Sequence, residues 1–259
     1  MRDIASLLDA AMEMARKAGE IHLCHFRRPD LRVDAKFNQS DVVTIADREA
    51  EKLILDIIQT RFPSHSVLSE ESGRHDAGRS FRWIIDPLDG TTNFSQGLPY
   101  FSVSIALEID GKDALGVVYA PYLGEMFHAI TGGGAFLNGK LLHCPDKHEL
   151  NKAVVATGFP IDKDTHVDNN LSNVVRITPL VRGLRRLGSA ALDLCYTGAG
   201  YLDGYWEMNL HEWDVAAGRI IAREAGAEYG LWRESADRGI CALAASPALY
   251  PLLLSLLDA

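Results

Sequence analysis

The segment WIIDPLDGTTNF, residues 83–94, brings two carboxylates, a glycine and two hydroxyls into a short stretch of chain. An apolar run precedes Asp86 and predicts a buried strand, so Asp86 and Asp89 should leave the end of that strand together at the rim of a sheet. Two carboxylates at this spacing across a proline-fixed turn can share divalent cations, and Mg²⁺ is usually held by a few carboxylates with water and substrate phosphate. The segment therefore favours metal-assisted chemistry on a phosphate.

The residues that follow Asp89 favour the same chemistry. Gly90 lets the backbone approach an anion, and Thr91 and Thr92, if they open a helix, direct N–H groups and the positive end of the helix dipole toward a phosphate. An Asp-rich turn with a threonine cap is the ordinary structural alternative.

Two acidic residues elsewhere in the chain fit a metal site. Glu70, in SEES, ends a strand pattern, and Asp214, in HEWDVAAG, falls in the first turn of a predicted helix. Taken separately, Asp214 would complement a helix dipole and Glu70 would be a solvated charge at a strand end. Together with Asp86 and Asp89 they form a set of hard oxygen ligands.

Helices and strands alternate along the chain, which predicts a mixed α/β (α+β) fold. Helices are predicted over residues 4–21 and from about residue 41 to 61. Strands follow in SVLSE, FRWIID, FSVSIALEID, DALGVVYAP and GEMFHAI. After Lys152 the predicted order is strand AVVAT, a helix near residues 166–176, helix SAALDLCYTGAG, strand GYWEM, helix WDVAAGRIIAREAG, strand ICALAA and a closing helix.

The length of the chain and its uniform composition predict one enzyme-sized unit. A chain of 259 residues can bury a large core and lies near the size at which one core divides. No repeat, low-complexity tract or long linker interrupts the sequence. We therefore predict a single domain over residues 1–259, with two packed lobes at about 1–150 and 151–259.

Charge and cysteine usage exclude several function classes. A net charge of −9 disfavours a nucleic-acid partner, since phosphate backbones are held mainly by clustered Lys and Arg. The richest basic stretch, VRGLRRLG, is short and is interpreted as a solvated loop or helix end. Four cysteines lie far apart without a C-x-x-C pair, which predicts reduced thiols. Acidic residues near the N-terminus disfavour a signal peptide or membrane span, so we expect a cytoplasmic protein without a membrane partner.

One motif resembles a phosphate loop without its chemistry. GAFLNGK, residues 134–140, matches the spacing G-x-x-x-x-G-K, but Leu141 replaces the Ser or Thr that must reach Mg²⁺. Asn138 and Gly139 form the dipeptide typical of a tight hairpin turn, which is the predicted structure.

The sequence resembles the inositol monophosphatase family of Mg²⁺-dependent, lithium-sensitive sugar phosphatases. The matching stretches are SDVVTIADREAE, VLSEESG, WIIDPLDGTTNF, GGGAFLNGK, LGSAALDLCYTGAGYLDGYWE and WDVAAGRIIAREAG. The resemblance implies a layered αβαβα sandwich, a homodimer and two to three Mg²⁺ ions per active site. The sequence departs from the family pattern at EAGA, where a second glycine is usual, and at Glu212, which directly precedes Trp213.

The resemblance also assigns metal ligands. It implies that Glu70, Asp86 and the backbone carbonyl of Leu88 hold the first Mg²⁺, and that Asp86, Asp89 and Asp214 hold the second. Glu70 would also face a weaker third ion. Bound divalent cations of this kind acidify water and clamp the attacking and leaving oxygens of an in-line displacement.

The catalytic and phosphate-binding residues follow by the same resemblance. Thr91, with Asp47 behind it, matches the pair that orients and deprotonates the attacking water, and Glu70 is also assigned to the catalytic residues. Gly90, Thr91 and Thr92 would hold the phosphoryl oxygens, so positioning and electrostatics supply most of the catalysis without a covalent phosphoenzyme. Lys36 and Asp41 match a stretch that closes over the metals; the alternative is plain surface charge.

The substrate-binding residues implied by the family are Asp89, Gly188, Ser189, Ala190, Glu207 and Asp214. Acceptors of this kind suit a neutral ring of hydroxyls and repel a second phosphate. The implied function is hydrolysis of a small polyol phosphate, myo-inositol monophosphate, to inositol and phosphate.

Alternatives stay open at this stage. The same chemistry on fructose 1,6-bisphosphate, histidinol phosphate or adenosine bisphosphate would be favoured if Arg182, Arg185 and Arg186 turned inward. A regulatory binding protein on the same fold is the non-enzyme alternative, although five retained acidic positions favour an enzyme.

Overall fold

The computed structural model describes residues 4–35, 42–78, 80–233 and 238–257. Lys36 and Asp41, which the sequence assigns to a closing segment, lie outside the described residues. None of the described helices is long and apolar enough to cross a membrane. Cys24 is exposed and Cys144, Cys195 and Cys241 are buried, and all four are free thiols, as predicted.

The helices of the described residues are α1 (Ile4–His25), α2 (Ile45–Arg61), α3 (Thr91–Ser95), α4 (Leu171–Ile177), α5 (Ala190–Gly198), α6 (Glu212–Glu224) and α7 (Tyr250–Leu256). The strands are β1 (Val33–Ala35), β2 (Val42–Thr44), β3 (Ser66–Ser69), β4 (Gly73–His75), β5 (Phe81–Asp89), β6 (Ser102–Ile109), β7 (Lys112–Ala120), β8 (Glu125–Ile130), β9 (Ala135–Leu137), β10 (Lys140–Leu141), β11 (Val154–Thr157), β12 (Gly183–Arg185), β13 (Gly204–Leu210), β14 (Glu228–Arg233) and β15 (Ile240–Ala245).

The strands form two main sheets, of which the larger carries Asp86 and Asp89. Its order is β10-β9-β8-β7-β6-β5-β3-β4, and the smaller sheet has the order β12-β11-β13-β15-β14. In the larger sheet β3 and β5 are parallel neighbours, whereas β6 runs antiparallel to β5. The carboxyl ends of β3 and β5 therefore meet at one edge of the sheet.

Helices and sheets alternate in five layers. α1 and α2 pack on one face of the larger sheet around Met14. α5 and α6 fill the space between the sheets, with Ile220 against the larger sheet and Tyr205 of β13 facing them from the smaller one. The adjacent Trp206 points to the opposite face, where it packs with α4 and α7 beside Leu253, because successive strand residues alternate faces. The predicted αβαβα sandwich is confirmed.

The start of α2 differs from the prediction of a helix beginning near residue 41. Val42–Thr44 form β2, which pairs antiparallel with β1, so the helix begins at Ile45. The Thr44 hydroxyl accepts from Ala46 N at 3.2 Å, and Asp47 accepts from Thr44 N at 2.8 Å in a reciprocal capping box. The β-branched residues before Ile45 favour the strand and fix where the helix can start.

Two further predictions need correction in the second half. The helix expected near residues 166–176 is the shorter α4, because the preceding Asn170 adopts a left-handed conformation with φ 71°. Its buried amide donates to Thr157 Oγ1 at 2.8 Å and its oxygen accepts from Trp206 Nε1 at 2.9 Å, which ties the chain to the core before the helix begins. The basic stretch, interpreted as a loop or helix end, contains β12, an edge strand parallel to β11.

The interpretation of GAFLNGK as a hairpin is confirmed. β9 and β10 pair antiparallel across Asn138 and Gly139, whose φ angles are 48° and 78°. Positive φ at both central residues is what a type I′ hairpin requires, and Asn-Gly is its preferred pair.

Candidate active site

A cavity of about 960 Å³ opens where the two halves of the sandwich meet. Nine of the predicted site residues line it: Glu70, Asp89, Gly90, Thr91, Thr92, Gly188, Ala190, Glu207 and Asp214. The remaining four, Asp47, Asp86, Leu88 and Ser189, are buried behind its wall. The folded chain thus collects residues that are more than 100 positions apart around one space.

Asp86 and Asp89 lie within β5 instead of beyond its end, which corrects the position predicted for them. The strand continues through Asp89 because its pairing with β6 shifts register between Asp86 and Asp89. This irregularity lets both carboxylates stay beside the sheet edge while the backbone keeps its pairing. Asp86 also accepts from Leu88 N at 2.9 Å, which stabilises the turn of the backbone around the proline.

Glu70 and Asp214 approach the same edge from two other elements. Glu70 directly follows β3, and its N–H donates to Ile85 O of the parallel neighbour β5 at 3.2 Å. Asp214 lies in the first turn of α6, where its carboxylate accepts from His211 N at 2.6 Å. Asp214 therefore acts as a helix cap, its ordinary structural explanation, and also lines the cavity.

An ion-pair network connects α6 to the larger sheet. Arg82, at the start of β5, lies 2.7 Å from Glu108 of β6 and 2.6 Å from Glu212 of α6. Glu212 is one of the two departures from the family pattern, and its partner gives it a structural role beside Asp214. The pair helps to hold the first turn of α6 against the strand that carries Asp86.

Burial and mutual repulsion perturb the carboxylates of this site. Burial raises the pKa of Asp86 well above its usual range, and the charges on Glu70, Asp89 and Asp214 raise it further. Burial likewise raises the pKa of Asp214, with Glu70 adding to the effect. The pKa of Asp89 is raised to about 6 by burial, while hydrogen bonds from Ser189 and Ala191 oppose the shift.

Bound cations would offset this crowding of negative charge. Across the described ranges, no three His, Cys, Asp or Glu side chains are already arranged as a ligand set for one ion. The influence of Glu70, Asp89 and Asp214 on the pKa of Asp86 nevertheless shows that the four carboxyls are electrostatic neighbours. A set made only of carboxylate and carbonyl oxygens fits a hard cation such as Mg²⁺.

Thr91 and Asp47 form the contact that the sequence predicts. Thr91 Oγ1 lies 3.0 Å from Asp47 Oδ1 and 2.9 Å from Leu88 O. The other Asp47 oxygen accepts from the Thr44 hydroxyl at 2.6 Å, so the α2 cap fixes the orientation of the carboxyl. Burial raises the pKa of Asp47 to about 6, although the hydrogen bonds from Thr44 oppose the shift.

Gly90 brings the start of α3 close to the second half of the chain. Its φ is 94°, and a Cβ there would lie 3.0 Å from Tyr100 O and 3.1 Å from Gly188 O, so a side chain would force the two segments apart. The first amides of a helix have no partner within it, so those of Thr91 and Thr92 are available beside the cavity.

The loop before α5 forms the neighbouring part of the cavity wall. Ser189 caps α5 and donates to Asp89 Oδ2 at 2.5 Å, and Ala191 N donates to the same oxygen at 2.8 Å. The Ser189 side chain is buried, so only the backbone of Gly188 and Ala190 faces the cavity at this point.

Glu207 supplies the carboxylate on this side. Burial raises the pKa of Glu207 to about 7, while the nearby Arg186 opposes the shift. Tyr205 Oη donates to Glu207 Oε2 at 2.8 Å. A side chain at Gly158 would overlap the Glu207 carboxylate, so a glycine there leaves room for it.

Sequence reasoning missed several residues that line the cavity. Asn93 stands within the quoted segment WIIDPLDGTTNF, but no role was assigned to it. Arg186 belongs to the basic stretch that was interpreted as solvated; it is exposed and also lines the cavity, which is the inward position that the sequence left as an alternative. Lys163 also lines the cavity, and no local pattern in the sequence marks it.

The fold and the site together define a class of protein, a layered α/β sandwich of the sugar phosphatase type. A family model described as the inositol monophosphatase family matches residues 3–258. Over 222 residues the chain is 42% identical to a Pasteurella multocida protein named Nus factor SuhB, covering 85% of this chain and 83% of that protein. Over 225 residues it is 42% identical to inositol-1-monophosphatase from Synechocystis, covering 86% of this chain and 78% of that protein.

Solved structures agree with this likeness. Inositol monophosphatase from Anabaena (Nostoc) sp. PCC 7120 matches with a TM-score of 0.86 at 37% identity, covering 98% of this chain and 95% of that chain. The chain belongs to the inositol monophosphatase family.

Proposed function

We propose that this protein is a Mg²⁺-dependent phosphomonoesterase that hydrolyses myo-inositol monophosphate to inositol and phosphate. The observation that supports this most directly is the set of residues that line one cavity. It combines the carboxylates of Glu70, Asp89 and Asp214 and the Gly90–Thr92 turn with Gly188, Ala190 and Glu207. The first group suits a phosphate, and the second suits a ring of neutral hydroxyls.

In this proposal Glu70, Asp86, Asp89, Asp214 and the carbonyl of Leu88 hold two to three Mg²⁺ ions. Bound Mg²⁺ supplies positive charge that offsets the growing charge of the phosphoryl group and acidifies water. The donor chemistry and the raised pKa values of Asp86 and Asp214 support the assignment, because nearby cations relieve the repulsion between buried carboxylates.

Thr91 and Asp47 orient the attacking water and take its proton. The Thr91 hydroxyl donates its one hydrogen bond to Asp47 or to Leu88 O. The lone pairs of its oxygen therefore stay free to accept a hydrogen bond from a water. The pKa of about 6 at Asp47 lies close to neutrality, where a general base combines the ionised form with a useful proton affinity.

Gly90, Thr91 and Thr92 bind the phosphoryl oxygens through backbone amides, and Thr91 contributes its hydroxyl. On the leaving-group side, the backbone of Gly188 and Ala190, together with Glu207 and Asp214, accepts hydrogen bonds from the polyol. Ser189 acts through Asp89 and through its cap of α5, since its side chain does not face the cavity.

Phosphate release from inositol 1-phosphate, measured with and without Mg²⁺, tests the activity. A panel of fructose 1,6-bisphosphate, histidinol phosphate and an adenosine bisphosphate tests the substrate. Absence of Mg²⁺-dependent release from every ester would contradict the phosphatase proposal. A kcat/KM for one of the other esters about tenfold above that for inositol 1-phosphate would overturn the substrate assignment alone.

A bisphosphate substrate is the second candidate, and a specific observation favours it. Arg186 and Lys163 line the same cavity as the carboxylates, so two cations are present where a second phosphate would need them. Against this, Arg186 offsets the charge of Glu207. If the second candidate is correct, Arg186→Ala should lower kcat/KM for fructose 1,6-bisphosphate by about tenfold or more, and by more than it lowers kcat/KM for inositol 1-phosphate.

Two other properties that we propose, inhibition by Li⁺ and a homodimeric state, rest on the family. A cytoplasmic location and the division of one domain into lobes near residue 150 are proposed from the sequence. The relative named Nus factor SuhB keeps a non-catalytic role open as an alternative for this chain. Mg²⁺-dependent turnover at a rate that falls with Asp86→Asn would separate an enzyme from a binding protein.

A further inference from the structure

Asn93 connects two segments of chain that lie beside the cavity. Its side-chain nitrogen lies 2.7 Å from Tyr100 O, which follows the phosphate-binding turn, and 2.7 Å from Leu187 O, in the loop before α5. Both neighbours are carbonyl oxygens, which only accept hydrogen bonds, so the amide nitrogen must be the atom that faces them.

The contact uses the full donor capacity of the amide. An Asn side chain has two N–H groups on its nitrogen, and here each has a carbonyl acceptor. Leu187 immediately precedes Gly188, whose φ is 93° and where a Cβ would lie 2.9 Å from the Asn93 nitrogen. The loop therefore approaches Asn93 so closely that a glycine is required at the point of contact.

A second link between the same segments depends on charge, whereas the Asn93 link does not. Ser189 and Ala191 donate to the Asp89 carboxylate. In the proposed function Asp89 also holds a cation, so the geometry of this link can change with metal occupancy. The Asn93 amide nitrogen is neutral and donates only to backbone oxygens, so this link contains no charged group that a cation would bind.

We infer that Asn93 is a positioning residue that sets the distance between the phosphate-binding turn, Gly90–Thr92, and the polyol-binding loop, Gly188–Ala190. The inference rests on the proposed function. A substrate that is held at both ends depends on this distance, because catalysis requires the bound geometry to be correct at the reacting atom. A small ester that is held only at its phosphate depends on it much less.

Steady-state kinetics of Asn93→Ala on two substrates test the inference. We expect kcat/KM for inositol 1-phosphate to fall by about tenfold or more, and that for glycerol 2-phosphate by about threefold or less. Asn93→Asp keeps the shape but presents an oxygen to both carbonyls, so it should lose at least as much as Asn93→Ala. Equal losses on the two substrates would overturn the inference.

Asn138→Ala is the matched control for a loss of stability alone. The Asn138 amide also donates to a backbone carbonyl, Gly124 O at 2.9 Å, but it does so from the β9–β10 turn, which does not line the cavity. This variant should lower the melting temperature and leave the ratio of the two kcat/KM values unchanged. A change of that ratio in Asn138→Ala would show that destabilisation itself causes the effect and would contradict the role of Asn93.

Hydrogen–deuterium exchange tests the inference without reference to a substrate. The amides of Ala191 and Leu192 donate to Asp89 and Ser189, so they report how firmly the loop is held. In metal-free protein, Asn93→Ala should speed exchange of the peptide covering residues 187–193 by about tenfold, and Asn138→Ala should not. If exchange of this peptide is unchanged in Asn93→Ala, the inference is wrong, even if inositol 1-phosphate is the preferred substrate. If the wild-type protein does not prefer inositol 1-phosphate, only the proposed function is contradicted.

Discussion

Replacing Glu207 by Gln tests whether the leaving group is a polyol. The substitution conserves shape and keeps one oxygen where Tyr205 donates at 2.8 Å. It removes the negative charge that we assign to hydroxyl recognition. Because we assign Glu207 to the alcohol and not to the phosphate, its loss should affect mainly esters whose alcohol reaches this carboxylate.

The size of the effect follows from the type of hydrogen bond that is lost. A hydrogen bond to a charged group contributes about 1.5 to 3 kcal/mol, and one between neutral groups about 1 kcal/mol. Gln retains a neutral acceptor, so the expected loss is the difference, about 0.5 to 2 kcal/mol, or about 2- to 30-fold in kcat/KM for inositol 1-phosphate. Glycerol 2-phosphate, which has a shorter alcohol, should lose less than about twofold.

The pKa of Glu207 also predicts how the effect of Glu207→Gln depends on pH. Burial raises this pKa to about 7, so the carboxylate is mostly ionised at pH 8 and mostly protonated at pH 6. A protonated Glu207 resembles Gln, so the ratio of wild-type to variant kcat/KM should approach one at pH 6 and reach its full value at pH 8. Taking this ratio cancels the titration of the substrate and of the other carboxyls.

The assay is initial-rate phosphate release at saturating Mg²⁺ for both esters between pH 6 and 8. Thermal unfolding of the variant serves as the control for folding. Equal losses on inositol 1-phosphate and glycerol 2-phosphate, or a ratio that does not rise with pH, would refute the assignment of Glu207 to the polyol. Neither result would affect the proposed metal chemistry.

Three other perturbations address the metal side of the cavity. Asp86→Asn should lower kcat by several powers of ten, each about 1.4 kcal/mol, and retention of more than about a tenth of wild-type kcat at saturating Mg²⁺ would contradict the two-metal assignment. Inhibition by millimolar Li⁺ should deepen as substrate rises, because Li⁺ has the size of Mg²⁺ but half its charge and would trap phosphate; purely competitive inhibition would exclude this. Folding raises the pKa values of Asp86, Asp89 and Asp214, so these carboxyls stabilise the metal-free fold below about pH 4, where they are protonated. This stabilisation is lost as the pH rises through the pKa of each carboxyl in the folded protein, which is about 6 for Asp89. The increase in unfolding free energy on adding Mg²⁺, measured by urea titration, should therefore grow between pH 4.5 and 7, and a constant or falling increment would argue against cation binding at these carboxyls.

The sequence alone predicted those elements that depend on residues close together in the chain. The periodicity of α1 and the Asn138-Gly139 turn depend on residues within a few positions of each other, and the structure has both. The segment around Asp86 and Asp89 indicated the kind of site because carboxylates, a glycine and hydroxyls stand next to each other in the chain. The resemblance then supplied distant members of the site, such as Glu207, which no local pattern identifies.

Tertiary structure decided where those elements end. β5 continues through Asp89 because β6 pairs with it across a register shift, and α2 begins at Ile45 because β1 pairs with the residues before it. Pairing partners of this kind are set by strands elsewhere in the chain, so a local pattern cannot fix the boundary.

Tertiary structure also decided the electrostatics and the geometry of the site. The sequence alone left open whether Arg186 faces the site, and the folded chain places this exposed side chain at the cavity, where its charge acts on Glu207. Asn93 bonds to Leu187 across 94 positions of sequence, and Asp89 holds Ser189 across 100. The sequence by itself determined which chemical groups are present, whereas their pKa values and separations arise from burial and packing between residues that only the folded chain brings together.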